Sequence, residues 1–388
     1  MTTSEPRGAS TTPPDTIALP IRPGLRGETP YGAPQLDVPH LLNTNENPYE
    51  PPAIVVAEIA DRVTAAATGL NRYPDREFTE LRHALAHYLR HESHAEVDER
   101  NIWAANGSNE VMLHILQAFG GPGRTAMTFT PTYAMYSEYA RDTLTDVVAI
   151  PRGDDFSIDL DAAHQAIKDI QPSVIFLTSP NNPTGTALRR EEIASIAHAA
   201  ADVDIDGAPA IVVVDEAYAE FRREGTPSAV QLLPQFPHLV VTRTMSKAFA
   251  LAGARLGYMA AHPQLIDALR IVRLPYHLSA VTQAVACAAL NHADLLQQQV
   301  AQLRDDRDAL VDWLRSQTYH GRPLTVAQSD ANFIFFGLFD DRDDLWRRLL
   351  QHGVLIRQSG PAGWLRVTVG TPQEIKAFTT ALKKELEQ

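Results

Sequence analysis

The chain has 388 residues, of which 44% are hydrophobic and 21% charged, and its formal net charge is −13. That length exceeds what one small core serves and suggests two packed units, while the balance of apolar and charged residues excludes the disordered and fibrous classes. The acidic balance argues against a nucleic-acid surface, because phosphate backbones attract dense lysine and arginine patches; small anions remain possible ligands of local basic pockets.

Taken in chain order, residues 1–20 (MTTSEPRGASTTPPDTIALP) have the Ser, Thr and Pro content of a disordered tail and lack the apolar core of a secretory signal. Residues 21–53 follow as an N-terminal arm, with TPYGAPQLDVPHLLNTNENPYEPP reading as extended chain with turns, of a kind that lies on another part of the protein. Over residues 54–290, helical periodicity alternates with the short runs TAMTF, DVVAI, SVIFLTSP, AIVVVDEAY, HLVVTRT and RLGYMAA. Short runs rich in Val and Ile, separated by helices, predict an α/β domain with a mainly parallel sheet flanked by helices. Residues 291–388 change character. A long helical stretch leads to the strand-like DANFIFFGL, GVLIRQ and WLRVTVG with helices at DRDDLWRRLLQHG and TPQEIKAFTTALKKELEQ, a smaller α+β unit packing with the arm.

Several signals are set aside. His83, His87 and His91 recur at four-residue spacing, but Leu81, Leu85 and Leu89 occupy another face of the same helix, so the histidines read as its solvated side and no metal is expected. Cys287 is the only cysteine; it excludes an intrachain disulfide and sits in AVACAAL as a buried small hydrophobe. No run approaches the ~20 apolar residues that span a membrane. A cytoplasmic protein is expected.

Ligands of open α/β sheets gather beyond the carboxyl ends of the strands. There SVIFLTSP delivers Asn182 in NNPTG, AIVVVDEAY delivers Asp215 and Tyr218, and HLVVTRT delivers Thr244, Ser246 and Lys247, while NIWAANGSNEVM turns through Gly107 into a helix at Ser108 and Asn109. Pyridoxal 5'-phosphate uses all of these groups: its aldehyde needs a lysine amine and its ring nitrogen an acidic partner. Lys247 suits the first task, since apolar neighbours and the nearby Arg255 lower an amine's pKa, and Asp215 suits the second. The phosphate takes the NH groups at Ser108 and Asn109, the hydroxyls of Thr244 and Ser246, and the Arg255 fork.

The order and spacing of these segments resemble those of the fold type I aminotransferases, and most nearly the histidinol-phosphate aminotransferase branch. The likeness runs through TPYGAPQLD, LNTNENPYEPP, NRYPD, ANGSNEVM, PTYAMYSEYA, SPNNPTG, VVDEAYAEF, TMSKAFALAGARLGY, LPYHLSA and WLRVTVG. It implies Lys247 as the amine that takes the aldehyde and shuttles the proton, Asp215 as the ring-nitrogen partner, and Tyr218 and Asn182 as hydrogen-bond partners of the ring oxygen, with Asn182 also close to substrate. It implies Tyr133 stacked on the ring and Tyr73 reaching the phosphate of a neighbouring subunit's cofactor, hence a homodimer with shared active sites. Arg357 and Arg366 are then the substrate-anion arginines, and Tyr31 in the arm contacts the substrate phosphate.

The reaction implied is transamination between histidinol phosphate with 2-oxoglutarate and imidazole acetol phosphate with glutamate, within histidine biosynthesis. An aromatic amino acid aminotransferase shares the scaffold, and a phosphothreonine decarboxylase-like lyase shares the cofactor contacts; both stay open at this point. A cofactor-binding regulator would need an attached DNA-binding unit, which the short polar tail does not supply.

Overall fold

The computed structural model describes residues 17–387, so residues 1–16 of the expected tail lie outside the described residues. The chain divides into two compact units, Met1–Gly32 and Ala33–Gln388, so the arm expected over 21–53 is split at Gly32. In the first unit the described residues are mostly exposed coil with one 3₁₀ turn at Pro23–Leu25.

The second unit holds a seven-stranded sheet in the order Ile102–Ala105, Gly257–Ala261, Leu239–Thr244, Ile211–Asp215, Val174–Thr178, Thr125–Thr130 and Asp146–Pro151. Gly257–Ala261 runs antiparallel to both neighbours; every other pairing is parallel. The apolar runs explain this. Every residue of Val174–Thr178, Ile211–Asp215 and Leu239–Thr244 is buried, as strands covered on both faces require. Register then sets the site: Asp215 lies opposite Thr178 on one side and Thr242 on the other, which brings three carboxyl ends to one edge.

A four-stranded antiparallel sheet runs Thr325–Val326, Phe333–Gly337, Trp364–Thr368, Arg357–Gln358, with its own apolar cluster that includes Leu310, Leu314, Phe336, Phe378 and Leu382. The helices Ala293–Arg315, Arg342–Gln351 and Pro372–Leu386 supply part of that cluster. Thr371 starts the last of them with a capping box to Glu374, and Pro372 sits where a missing N–H costs nothing. The chain at His40–Leu41 pairs in parallel with Val354–Leu355, so this part of the arm is tied by backbone hydrogen bonds and does not lie loose.

The helix Thr79–Ser93 shows the pattern read from the sequence. Leu81, Leu85 and Leu89 are buried, each contributing about 1.5–3 kcal/mol of transfer free energy, while His83, His87 and His91 are exposed. Among the described residues no cluster of His, Cys, Asp or Glu could hold a metal ion, and no helix is long and apolar enough to cross a membrane.

Candidate active site

Asp215 ends its strand facing the cleft, 5% exposed. The Tyr136 hydroxyl donates to its Oδ2 at 2.8 Å, and Thr242 Oγ1 and the Ala217 N–H donate to Oδ1 at 3.3 and 3.2 Å. Burial nevertheless raises its carboxyl above the usual range, with Glu216 adding to the rise. Among the described residues no Lys, Arg or His forms an ion pair with it. A buried carboxylate in this condition is stabilised by a cation placed against it.

Tyr136 was not singled out by the sequence. It stacks on Phe176 with centroids 4.7 Å apart, and burial pushes its phenol well up, so it stays a proton donor. The half-buried Tyr133 meets it edge-on at 5.7 Å and stands at the site's rim. The available signal was PTYAMY itself, whose two tyrosines sit one helical turn apart.

Lys247 lies in the turn after Leu239–Thr244 and donates from Nζ to the Thr44 carbonyl at 2.9 Å. Loss of hydration brings its pKa down to about 8, helped by the charges of Arg366 and Arg255 and opposed by Glu46. An amine so placed is neutral far more often than a surface lysine, which makes it a competent nucleophile and base.

Beside it is an anion cradle. The helix Ser108–Phe119 starts at Gly107, whose φ of 86° suits glycine and which offers no side-chain cap, so the first N–H groups are left for a ligand. A Cβ at Gly107 would lie 2.7 Å from an Arg255 guanidinium nitrogen, and one at Gly257 would lie 2.0 Å from the Ser108 nitrogen. Two glycines therefore let the strand Gly257–Ala261, the Arg255 fork and the start of the helix close on one another. The Asn106 side chain braces the turn, donating to Glu110 at 2.8 Å and to the His277 carbonyl at 2.9 Å.

Of the two hydroxyls expected at the phosphate, Thr244 is engaged within its own loop. Its Oγ1 accepts from the Ser246 N–H at 3.1 Å and lies 3.0 Å from Ser246 Oγ and 3.2 Å from the Leu256 carbonyl. Thr244 thus shapes the turn that presents Ser246 and Lys247.

The second half of the site comes from the four-stranded sheet. The buried Arg366 donates to Asn182 Oδ1 and, at 2.7 Å, to the Asn43 carbonyl, and lies over the Phe333 ring at 5.1 Å. Arg357 lies directly opposite Arg366 in the ladder and makes no side-chain hydrogen bond or ion pair among the described residues. Like charges opposite one another are destabilising, so this pair is suited to an anion between or beside them. Asn182 thereby links the large sheet to Arg366, whereas Asn181 is wholly buried, bonds Thr184 in its own loop, and ties that loop to the one after Thr125–Thr130 through the Pro131 carbonyl and the Thr132 hydroxyl. Tyr218, 6% exposed, accepts from Asn45 Nδ2 at 2.9 Å and meets Phe333 edge-on.

Within the second unit, Tyr73 is not brought to this cleft in a single chain. Tyr73 is 79% exposed and stacks on Tyr276 at 4.4 Å. Tyr31 is half exposed and belongs to the first compact unit.

A buried charge network behind the site was also not foreseen. Glu216, the residue after the strand that ends at Asp215, pairs at 2.8 Å with Arg243, which also reaches Glu92 at 2.8 Å; Arg222 pairs with both glutamates. Arg243 precedes Thr244, so the network ties together the two strands that carry Asp215 and Lys247.

These residues fit pyridoxal phosphate: a buried carboxylate with no counter-cation among the described residues, for the ring nitrogen, a lowered-pKa amine for the aldehyde, and an uncapped helix start with a guanidinium for the phosphate. The comparisons agree. Residues 39–382 match the family described as aminotransferase class I and II. The chain is 60% identical to histidinol-phosphate aminotransferase of Thermobifida fusca over 94% of this chain and 95% of that protein. It is 56% identical to histidinol-phosphate aminotransferase 3 of Burkholderia lata over the same shares, 94% and 95%. Its fold superposes with a TM-score of 0.76 on a histidinol-phosphate aminotransferase of Sinorhizobium meliloti in complex with pyridoxal-5'-phosphate, at 23% identity over 90% of this chain and 91% of that one. The chain belongs to the class I and II aminotransferases, enzymes of fold type I that depend on pyridoxal phosphate.

Proposed function

We propose that the chain is a histidinol-phosphate aminotransferase, exchanging the amino group of histidinol phosphate for the oxo group of 2-oxoglutarate, or the reverse, in histidine biosynthesis. What carries the reading is that Lys247 and Arg366 bond the adjacent Thr44 and Asn43 carbonyls and that Asp215 lies opposite Thr242 on the strand that leads to Lys247, in a chain 60% identical to an enzyme of that name. Pyridoxal phosphate, when bound, supplies an aldehyde carbon that takes up amines and a ring that accepts the electron pair left when a proton leaves the substrate's α-carbon.

The chain's own groups divide the rest. Asp215 holds the positive charge at the ring nitrogen, and Tyr136 keeps that carboxylate aimed. Lys247 Nζ would move the substrate's α-proton, a task suited to an amine whose burial brings its pKa down to about 8. Asn182 and Tyr218 hold the ring oxygen, and Tyr133 covers the ring. Ser108, Asn109, Ser246 and Arg255 hold the phosphate, with Thr244 shaping their loop.

Arg366 and Arg357 bind the substrate's anionic end. The paired forks suit both a carboxylate and a phosphate, which the two half-reactions present in turn. Tyr31 is the further contact for the substrate phosphate. The working form is a homodimer in which Tyr73 reaches the neighbouring subunit's cofactor phosphate. What supports this is the outward-facing Tyr73, with Ile271 84% and Leu274 75% exposed, apolar surface of the kind a second copy covers. Residues 54–290 act as the large cofactor domain and 291–388 as the small one. The protein works in the cytoplasm, in keeping with its single buried cysteine.

A side-by-side assay of the purified protein with histidinol phosphate, phenylalanine and phosphothreonine, each with 2-oxoglutarate, tests the assignment. Preferred amino transfer from histidinol phosphate is expected. Preference for phenylalanine, or release of carbon dioxide from phosphothreonine, overturns it.

A further inference from the structure

The segment Asn43–Glu46 threads between the two sheets, and three consecutive residues in it each hold one group of the site. The Asn43 carbonyl takes Arg366, the Thr44 carbonyl takes Lys247 Nζ, and the Asn45 side chain takes Tyr218. Asn45 is 2% exposed and has φ 57°, the left-handed region that asparagine tolerates better than most side chains.

Each polar group of Asn45 is matched. Its N–H donates to Thr368 Oγ1 at 3.1 Å, and the same hydroxyl donates back to its Oδ1 at 3.0 Å. Its carbonyl accepts from Asn332 Nδ2 at 3.0 Å. With Oδ1 paired to the Thr368 hydroxyl, Nδ2 faces Tyr218 as a donor, at 2.9 Å. An amide NH₂ cannot accept, so the Tyr218 hydroxyl is the acceptor here and gives its own proton elsewhere.

We propose that Asn45 is a positioning residue. It holds the Tyr218 oxygen as an acceptor, which directs and polarises the phenol's own proton for donation to the cofactor's ring oxygen, and its left-handed turn sets the Thr44 carbonyl on the Lys247 amine. This rests on the reading of Tyr218 as a ring-oxygen partner. Thr368 and Asn332 lie at the ends of the strand pair that also carries Arg366, so one side chain couples that pair to Tyr218. A hydrogen bond given to a hydroxyl strengthens the bond that hydroxyl gives in turn.

The test uses the holoenzyme without substrate, comparing wild type with Asn45→Asp and Asn45→Gly by titrating the visible absorbance of the lysine-bound cofactor. Asn45→Asp keeps the shape and replaces the donor with an acceptor that draws the Tyr218 proton to itself. Weaker donation leaves the ring oxygen more negative and its neighbouring proton more tightly held. The titration midpoint is therefore expected to rise by about one unit, with kcat falling about tenfold and KM changed less.

Asn45→Gly keeps the left-handed turn and removes the side-chain amide, so it serves as the second variant where the aspartate variant does not fold. It is expected to fold with a melting temperature a few degrees lower, from the lost bonds to Thr368 and Tyr218, while still showing the raised midpoint. A glycine variant with wild-type midpoint and kcat overturns the proposal, because the turn alone then suffices. The titration contains no substrate, so a wrong substrate assignment would surface in the amino-donor assay and leave this result unaffected.

Discussion

Replacing Lys247 by methionine is expected to stabilise the cofactor-stripped protein at neutral pH. The folded pKa of Lys247 is about 8 against an ordinary 10.5, with burial as its main cause. At ~1.36 kcal/mol per unit, this difference corresponds to about 3 kcal/mol that the folded state loses by keeping an ammonium there. Because the folded pKa is depressed, the unfolded chain binds more protons between the two values. Stability therefore rises as pH climbs from about 8 to 10.5, and the whole penalty is present below about 8.

Methionine has similar length and no charge, so it removes the penalty. It also leaves the Thr44 carbonyl without its donor, a loss of about 1 kcal/mol, and the partial exposure of residue 247 trims the gain further. The net expectation is about 1–2 kcal/mol at pH 7, read by urea unfolding of both stripped proteins over a pH series. The advantage should shrink as the series approaches pH 10.5, where the wild-type amine is neutral in both states. A variant less stable than wild type at pH 7, or a difference independent of pH, refutes the reasoning. The amine that carries the chemistry is then not a strained one.

Asp215→Ala should still bind the cofactor but slow α-proton removal, measured by single-turnover absorbance, by more than about tenfold, roughly 1.4 kcal/mol; a smaller loss counts against the ring-nitrogen role. Burial pushes the Glu92 carboxyl up, but Arg243 and Arg222 outweigh it and hold the group at about 2, below its ordinary 4.5. Its depressed pKa gives stability that is full above pH 4.5 and lost as pH falls toward 2, so Glu92→Gln should flatten that limb of a stability–pH curve. Inactive Tyr73→Ala and Lys247→Ala chains, mixed and refolded together, should recover part of the activity, since one of the two sites in a mixed dimer is then intact. No recovery in confirmed mixed dimers removes Tyr73 from the neighbour's site.

Much of this was legible in the sequence where chemistry is local. AIVVVDEAY ends a fully buried strand at Asp215 because a Val-rich run needs cover on both faces and an acid cannot continue it. Gly107 announces the start of a helix, and Leu81, Leu85 and Leu89 identify the inner face that leaves the histidines in water. Tyr136 was not legible, since its bond to Asp215 depends on which strand lies beside which. The Glu216–Arg243 network needed strand register as well, and SPNNPTG did not show that Asn181 is structural while Asn182 faces Arg366.

The sequence by itself determined the chemical inventory: one buried amine, one buried acid, a helix start for an anion, and arginines for the substrate. These follow from residue type, hydrophobic period and turn chemistry over a few positions. The tertiary structure alone decided how they are held. Asn45 bonds Tyr218 across 173 positions and Thr368 across 323, and Arg366 reaches Asn182 across 184. Partners at such separations are chosen by the packing of two sheets and the segment between them, and no periodicity along the chain encodes the direction in which a side-chain amide donates.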